Sequence, residues 1–274
     1  MKFETIMANL ALDRSNDACL AITGDLARRC EAHVIGIAAS DLKPPLYYAE
    51  GDQAEAIFNQ ERTAIRKRID HLEKTFRARL ANKSQGLEWR STIDFPARFV
   101  STQVRAADVL VTEIGKEPSD PYSAASPNDL VMAIGRPLLA VPEGMDWLDT
   151  RQVLVAWKDT REARRAIVDA LPLLSLAAEV TVVEILEEGT ERLTTQSRLK
   201  DVQCWLEQHG ISAETLVIDQ PEDVTTRLDE AASDAGAGII VAGAYGHSRF
   251  REWVLGGVTR HLMTQRKRCV LLSR

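Results

Sequence analysis

Residues 106–115, AADVLVTEIG, are answered at 236–245 by GAGIIVAGAY, and three further pairs keep the same order along the chain. TIMANL (5–10) is matched by QVLVAW (152–157), STIDFP (91–96) by LVIDQP (216–221), and RPLLAV (136–141) by RCVLLS (268–273). The offsets are 147, 125 and 132, against 130 for the first pair. Within the second of these pairs, Ile93-Asp94-x-Pro96 recurs as Ile218-Asp219-x-Pro221. An internal repeat constrains a fold strongly, because each copy must be the same supersecondary unit. A chain of 274 residues also divides naturally into two domains of ordinary size. The turn-rich Pro142–Asp149 marks the boundary, giving domains 1–146 and 147–274.

The second copy reads clearly. Arg151–Trp157 is an apolar strand; Thr160 caps a helix whose apolar positions Ala163, Ile167, Ala170, Leu171 and Leu174 follow helical spacing. Val180–Leu186 is a second strand, and Glu191–His209 a helix with Leu199, Trp205 and Leu206 inward and Gly210 at its end. Thr215–Ile218, Glu222–Ala235, Gly238–Ala242, a glycine loop, Val258–Gln265 and Cys269–Leu272 complete it. The first copy opens with Thr5–Leu10, a helix Ser15–Cys30 capped near Ser15 or Asp13, and His33–Ala38. It is about 20 residues longer, through a polar stretch around Asp41–Asp52 and a long helix, Ala54–Leu80, striped by Ile65, Ile69, Leu72, Phe76 and Leu80. Strands that alternate with helices and are almost wholly apolar imply an α/β fold, with a parallel sheet covered on both faces. Each copy is predicted to hold five strands and four helices.

Composition excludes several classes. With 45% apolar and 27% charged residues this is a globular chain, and with 5% aromatics its cores must be built from Ala, Val, Leu and Ile. No run approaches the roughly 20 apolar residues of a membrane span, and MKFETIMANLALDRSND does not read as a signal peptide. A net charge of −6 argues against nucleic-acid binding. The long helix carries Arg62, Arg66, Lys67, Arg68, Lys74, Arg77 and Arg79, but Glu61, Asp70 and Glu73 are interleaved, as on a solvated face. The expectation is a soluble, cytoplasmic protein with no membrane or nucleic-acid partner. Cys19, Cys30, Cys204 and Cys269 form no C-x-x-C pair, and Cys204 and Cys269 lie in apolar-patterned segments, as buried thiols do. The histidines have no metal-ligand spacing.

Ligands of open parallel sheets bind beyond the carboxyl ends of the strands. There the second copy reads GAYGHSRFREWVLGGVTRHL (243–262). Gly243 and Gly246 would let backbone approach a ligand, and Gly256-Gly257 open a helix at Val258 whose amides would face an anion. His247, Ser248, Arg249, Arg251 and Thr259 would add charge or hydroxyls. The pattern is neither a P-loop nor a G-x-G-x-x-G fingerprint.

A strand, Gly243-x-x-Gly246, nine residues, Gly256, a helix and a closing strand together resemble the glycine motif of the universal stress protein (UspA-like) family. VLVAWKDTREARRAI (153–167) and EVTVVEILEE (179–188) are similar to that family's first and second strands. The likeness covers 151–274 closely and 1–146 more loosely, so the whole resembles a tandem universal stress protein. It implies two doubly wound, Rossmann-like domains of the adenine-nucleotide alpha-hydrolase-like type. In one branch of the family it implies ATP, with Mg²⁺, as ligand. Carried over by position, Ala156, Trp157 and Lys158 would approach the adenosine, with Trp157 either stacking on a base or filling space, and Ile185 would meet the adenine. Ala242, Gly243 and Gly246 would line the ribose and phosphates. Gly256, Gly257 and Val258 would offer amides. Lys158 stands in place of the family's aspartate, with Asp159 one residue late, and Gly257 in place of a Ser or Thr. One lost hydrogen bond to an anion weakens binding by roughly ten- to a hundredfold.

In the first copy, TEIGKEPSDPYSAASPNDLV has no second glycine after Gly115 and sets Glu113, Glu117, Asp120 and Asp129 where phosphate would lie, so nucleotide binding is expected to be lost there. No G-x-S-x-G elbow is present; adjacent His247 and Ser248 rarely orient each other, and Glu184, Glu187 and Glu188 read as solvated or capping carboxylates. Three readings stand: an ATP-responsive regulatory or stress-protective protein without dedicated catalysis, a nucleotide-independent interaction protein, and a weak ATPase or small-molecule hydrolase. The final strands, Leu138–Val141 and Val270–Leu272, are too apolar for free edges. The resemblance implies that they pair within the chain as a pseudo-dimer, with a homodimer as a further step.

Overall fold

The computed structural model describes residues 1–43, 52–115, 120–186, 189–219, 223–244 and 257–274. The first half runs β1 (Thr5–Asn9), α1 (Asp17–Cys30), β2 (His33–Ala39), α2 (Asp52–Leu80), β3 (Gly86–Thr92), α3 (Pro96–Gln103), β4 (Val109–Ile114), α4 (Pro127–Ala133) and β5 (Leu138–Pro142). The second runs β6 (Gln152–Trp157), α5 (Arg161–Leu174), β7 (Glu179–Ile185), α6 (Arg192–Gln208), β8 (Ala213–Ile218), α7 (Val224–Asp234), β9 (Ile239–Gly243), α8 (Gly257–Thr264) and β10 (Cys269–Ser273).

All ten strands form one sheet, ordered β3-β2-β1-β4-β5-β10-β9-β6-β7-β8. Pairing is parallel within each half, and β5 meets β10 antiparallel, Leu139 opposite Leu271. The repeat holds in register: Ile6 and Val153 pair with Val109 and Ile239, which keeps the offsets of 147 and 130. Leu138 and Val270 pair with Leu110 and Ile240, which keeps 132. The Ile-Asp-x-Pro match slips by one. Thr92 pairs with Ala39 as Ile218 pairs with Ile185, so Ile93 falls just past the end of β3.

Strand alternation divides the buried side chains between two cores. Val153, Val155 and Trp157 face α5 and α6 in one layer that continues through Val141 to α1 and α2; Leu154, Ile240 and Val270 face the other layer, with Leu138, Leu228 and Leu262. The stripe of α2 buries Ile65, Ile69, Phe76 and Leu80. Gly36 on β2 makes room for it: a Cβ there would lie 2.9 Å from the Phe76 ring and 2.6 Å from Trp89. Thr160 caps α5 by accepting from the Ala163 amide at 3.3 Å, and Gly210, at φ +76, ends α6. At α1 Ser15 stands near the cap as expected, its hydroxyl accepting from the Asp17 amide at 3.1 Å, but neither it nor Asp13 is the cap residue itself. Asn16 stands there, and its side chain turns back to the Ala11 amide (2.8 Å) and carbonyl (2.9 Å).

The connection between halves docks on α1. Leu148 is fully buried, its amide donates to Asp25 (3.2 Å), and Arg29 donates to the Leu148 carbonyl (3.0 Å) and the Thr150 hydroxyl (2.7 Å). The sheet's outer strands, β3 and β8, carry the charges Glu88, Arg90 and Glu214 that suit free edges. Cys19, Cys30 and Cys269 are buried thiols, whereas Cys204 is only half-buried. Burial pushes the Cys19 and Cys269 thiols up to about 12. Among the described residues no helix is long and apolar enough to cross a membrane. Because Leu271 is fully buried against Leu139 at the junction of the halves, Leu271→Ala should cost about 2–5 kcal/mol. Calorimetry should show the loss as a shift of the whole transition rather than of one half.

Candidate functional site

The chain leaves β6 for α5 on one face of the sheet and β9 for α8 on the other. Adjacent strands whose connections part in this way open a crevice at their carboxyl ends. Ala156 and Ala242 are register partners there, and both lie against the α7/α8 core together with Ile185 and Val258. Four of the residues singled out by sequence thus lie on the same face of the sheet. Gly257 is the first described residue of α8, and Val258 and Thr259 follow it in the helix. Among the described residues nothing would meet a Cβ at Gly257, whereas Thr259 is buried.

Other expectations change. Trp157 points to the opposite face, 8% exposed within the α5/α6 core, so it fills space and does not stack on a ligand in the crevice. Its indole N–H is buried without an acceptor among the described residues. Lys158 is half-buried just past β6, while Asp159 is turned to Arg164 (3.1 Å) and does not replace an acceptor at the strand end. Gly243 is glycine for packing and not for ligand approach: a Cβ would lie 2.6 Å from the Ala163 amide nitrogen and 2.6 Å from the Glu162 carbonyl carbon. Glu184 is neither solvated nor capping, but buried on the Trp157 face, where both its oxygens accept from Arg198 Nε at 3.0 Å. Among the described residues no three His, Cys, Asp or Glu side chains gather as metal ligands. Gly246, His247, Gly256, Ser248, Arg249 and Arg251, with Glu187 and Glu188, lie outside the described residues.

The corresponding crevice of the first half is nearly closed. Bounded by Asn9, Thr112, Glu113 and Pro127, it encloses about 20 Å³, roughly one water's worth of space. The Asn9 amide donates to the Thr112 hydroxyl across it (3.1 Å). The decisive side chain is Glu113, the counterpart of Gly243 in the repeat. Its carboxylate accepts from the Cys19 amide at 3.2 Å, in the first turn of α1. Since Asn16 is engaged with Ala11, this carboxylate from β4 takes the position that an external anion would hold at a helix N-terminus. The other acids do not join it. Asp120 binds Lys43 (2.7 Å) and the Ser123 amide, Asp129 lies in the first turn of α4, and Glu117 is outside the described residues. The repeat alignment of Glu113 with Gly243 was the available signal for this replacement; reading the loop as generally acidic passed over it.

Burial raises the Glu113 carboxyl above its ordinary value, and the charges of Glu143 and Asp17 add to this against the opposing Cys19 amide. The folded state therefore holds this proton more tightly than the unfolded one. The stability so contributed is complete below the unfolded value near 4.5 and is lost as pH rises through the folded value. Glu113→Gln keeps an oxygen for the Cys19 amide without the buried charge. It should melt at or above the wild-type temperature at neutral pH, with the two curves converging in acid. Gly243→Ala, by contrast, should destabilise at every pH by about 1–3 kcal/mol, because backbone occupies the space its methyl needs.

No protein-family model matches this chain, and no curated protein matches it. Solved structures do. The chain aligns over 98% of its length, and 96% of the other chain, with a universal stress protein from Archaeoglobus fulgidus DSM 4304, at a TM-score of 0.73 and 12% identity. It aligns over 99% of its length, and 92% of the other, with a functionally unknown protein from Pseudomonas aeruginosa PAO1, at a TM-score of 0.60 and 14% identity. At such identities the likeness is one of fold. The two-unit α/β architecture described above is the one that a universal stress protein adopts along almost its entire chain.

Proposed function

We propose that this chain works as a universal stress protein whose second half binds an adenine nucleotide, ATP with Mg²⁺, and that binding rather than turnover is its output, in a regulatory or stress-protective role. The observation that supports this is the contrast between Glu113 and Gly243. The first half supplies its own anion to its crevice, while the second half has glycine at the same position and small side chains at Ala156 and Ala242. Ile185 and Val258 would wall the base, the Gly257 turn would receive phosphate, and Lys158 would attract it. Bound Mg²⁺ would neutralise phosphate charge.

Thermal unfolding with millimolar ATP·Mg²⁺, with GTP and inorganic phosphate as controls, tests the reading. Ligand at about 100 times its dissociation constant adds roughly 2.7 kcal/mol, which should raise the midpoint by about 5 °C. Gly257→Ser, whose side chain would meet none of the described residues, should tighten ATP about tenfold by adding a hydroxyl bond to an anion. No rise, and no nucleotide released from denatured protein, would leave a nucleotide-independent interaction protein. Metal-dependent phosphate release would point to a hydrolase instead.

A further inference from the structure

Helix α2 holds an excess of positive charge that the nucleotide reading does not use. From Arg62 to Arg79 it carries seven Arg or Lys residues against Asp70 and Glu73. Most arginines of this protein are matched to carboxylates, as Arg77 is to Glu73 (2.7 Å), Arg79 to Asp17 and Arg98 to Asp94. Lys67, Arg68 and His71 are different. Their side chains make no hydrogen bond or ion pair with any described residue, and Asp70, although nearby in sequence, pairs with none of them.

These three line a cleft of about 270 Å³ between α2 and the turn that follows β1. Arg14 stands on the opposite wall, 3.2 Å from Asp13, and Leu12 and Leu72 give the cleft an apolar side. The turn is held in place by the buried Asn16, whose side chain also donates to the Arg14 carbonyl (3.3 Å), so that wall is preformed. Four basic side chains around one apolar-sided cleft, in a chain of net charge −6, form a local attraction for anions that whole-molecule charge conceals. The volume falls just below the roughly 300–1,000 Å³ of ordinary small-molecule sites. Single-stranded nucleic acid needs a longer groove with aromatic platforms, which this cleft does not offer.

We propose that the cleft between α2 and the β1–α1 turn binds a small multivalent anion, of the class of phosphorylated or diphosphate-bearing metabolites, through Lys67, Arg68, His71 and Arg14. The site is separate from the β6/β9 crevice, and it stands or falls independently of nucleotide binding there.

Calorimetric titration of the full chain with inorganic pyrophosphate, at physiological ionic strength, is the test. Saturable binding is expected, weakened at least tenfold in Lys67→Gln/Arg68→Gln. Arg66→Gln/Lys74→Gln removes two charges from the same helix outside the cleft and should leave binding within twofold. All four positions are exposed on a helix, and circular dichroism should show both variants folded. The response of the melting temperature to ATP·Mg²⁺ should survive in Lys67→Gln/Arg68→Gln, which keeps this site distinct from the proposed nucleotide site. Absence of saturable binding, or equal losses in the two double variants, would overturn the proposal. So would tighter binding of a single-stranded oligonucleotide than of pyrophosphate.

Discussion

The pairing of β5 with β10 is the contact on which the rest of the architecture rests. Each half is a five-stranded parallel sheet whose last strand is apolar on both faces, and neither final strand is tolerable at an edge exposed to water. Setting them antiparallel, with Leu139 against Leu271, satisfies both ladders at once. It also fuses the two cores on each face of the sheet, so Val141 and Val153 belong to one buried layer and Leu138 and Leu154 to the other. The edges left over fall on β3 and β8, where charged side chains are at home.

Within that near-symmetric frame the halves have diverged at one position with large consequences. Glu113 and Gly243 end equivalent strands, yet one sends a carboxylate to the first turn of the adjacent helix and the other brings helix backbone against its own Cα. A helix N-terminus with unmet amides attracts negative charge from whatever source is nearest. In the first half that source is the protein itself, and the crevice shrinks to the size of a water molecule. In the second half the equivalent position is Gly243, which supplies no carboxylate.

Much of this was legible in the chain. The apolar strands matched at offsets of 147, 130 and 132 are structural equivalents residue for residue, because buried parallel strands keep their pattern in both copies. The helical stripe of α2 and the cap at Thr160 follow from local rules of spacing and hydrogen bonding. The Ile-Asp-x-Pro match erred by one residue, since a strand end is set by its neighbour's register and not by the similarity of a motif. The candidate site was read less well. Ala156, Ile185, Ala242 and Val258 share one face of the sheet, whereas Trp157 faces away because a strand alternates sides, and Gly243 serves the packing of α5.

The sequence by itself determined the repeat, the α/β alternation and the strands that must be buried, because these depend on periodicity and composition along the chain. Only the tertiary structure decided which acid acts: Glu113 rather than its loop neighbours reaches the Cys19 amide of α1, since the cap residue Asn16 has turned back to Ala11. The same is true of Glu184, which reads as a solvated or capping carboxylate until α6 lays Arg198 over it, and of Lys67 and Arg68, which read as part of a solvated helix face until the β1–α1 turn closes a cleft beside them and His71. Charge and hydrogen-bonding partners are chosen by distance in space, and distance in space is fixed by packing between segments far apart in the chain.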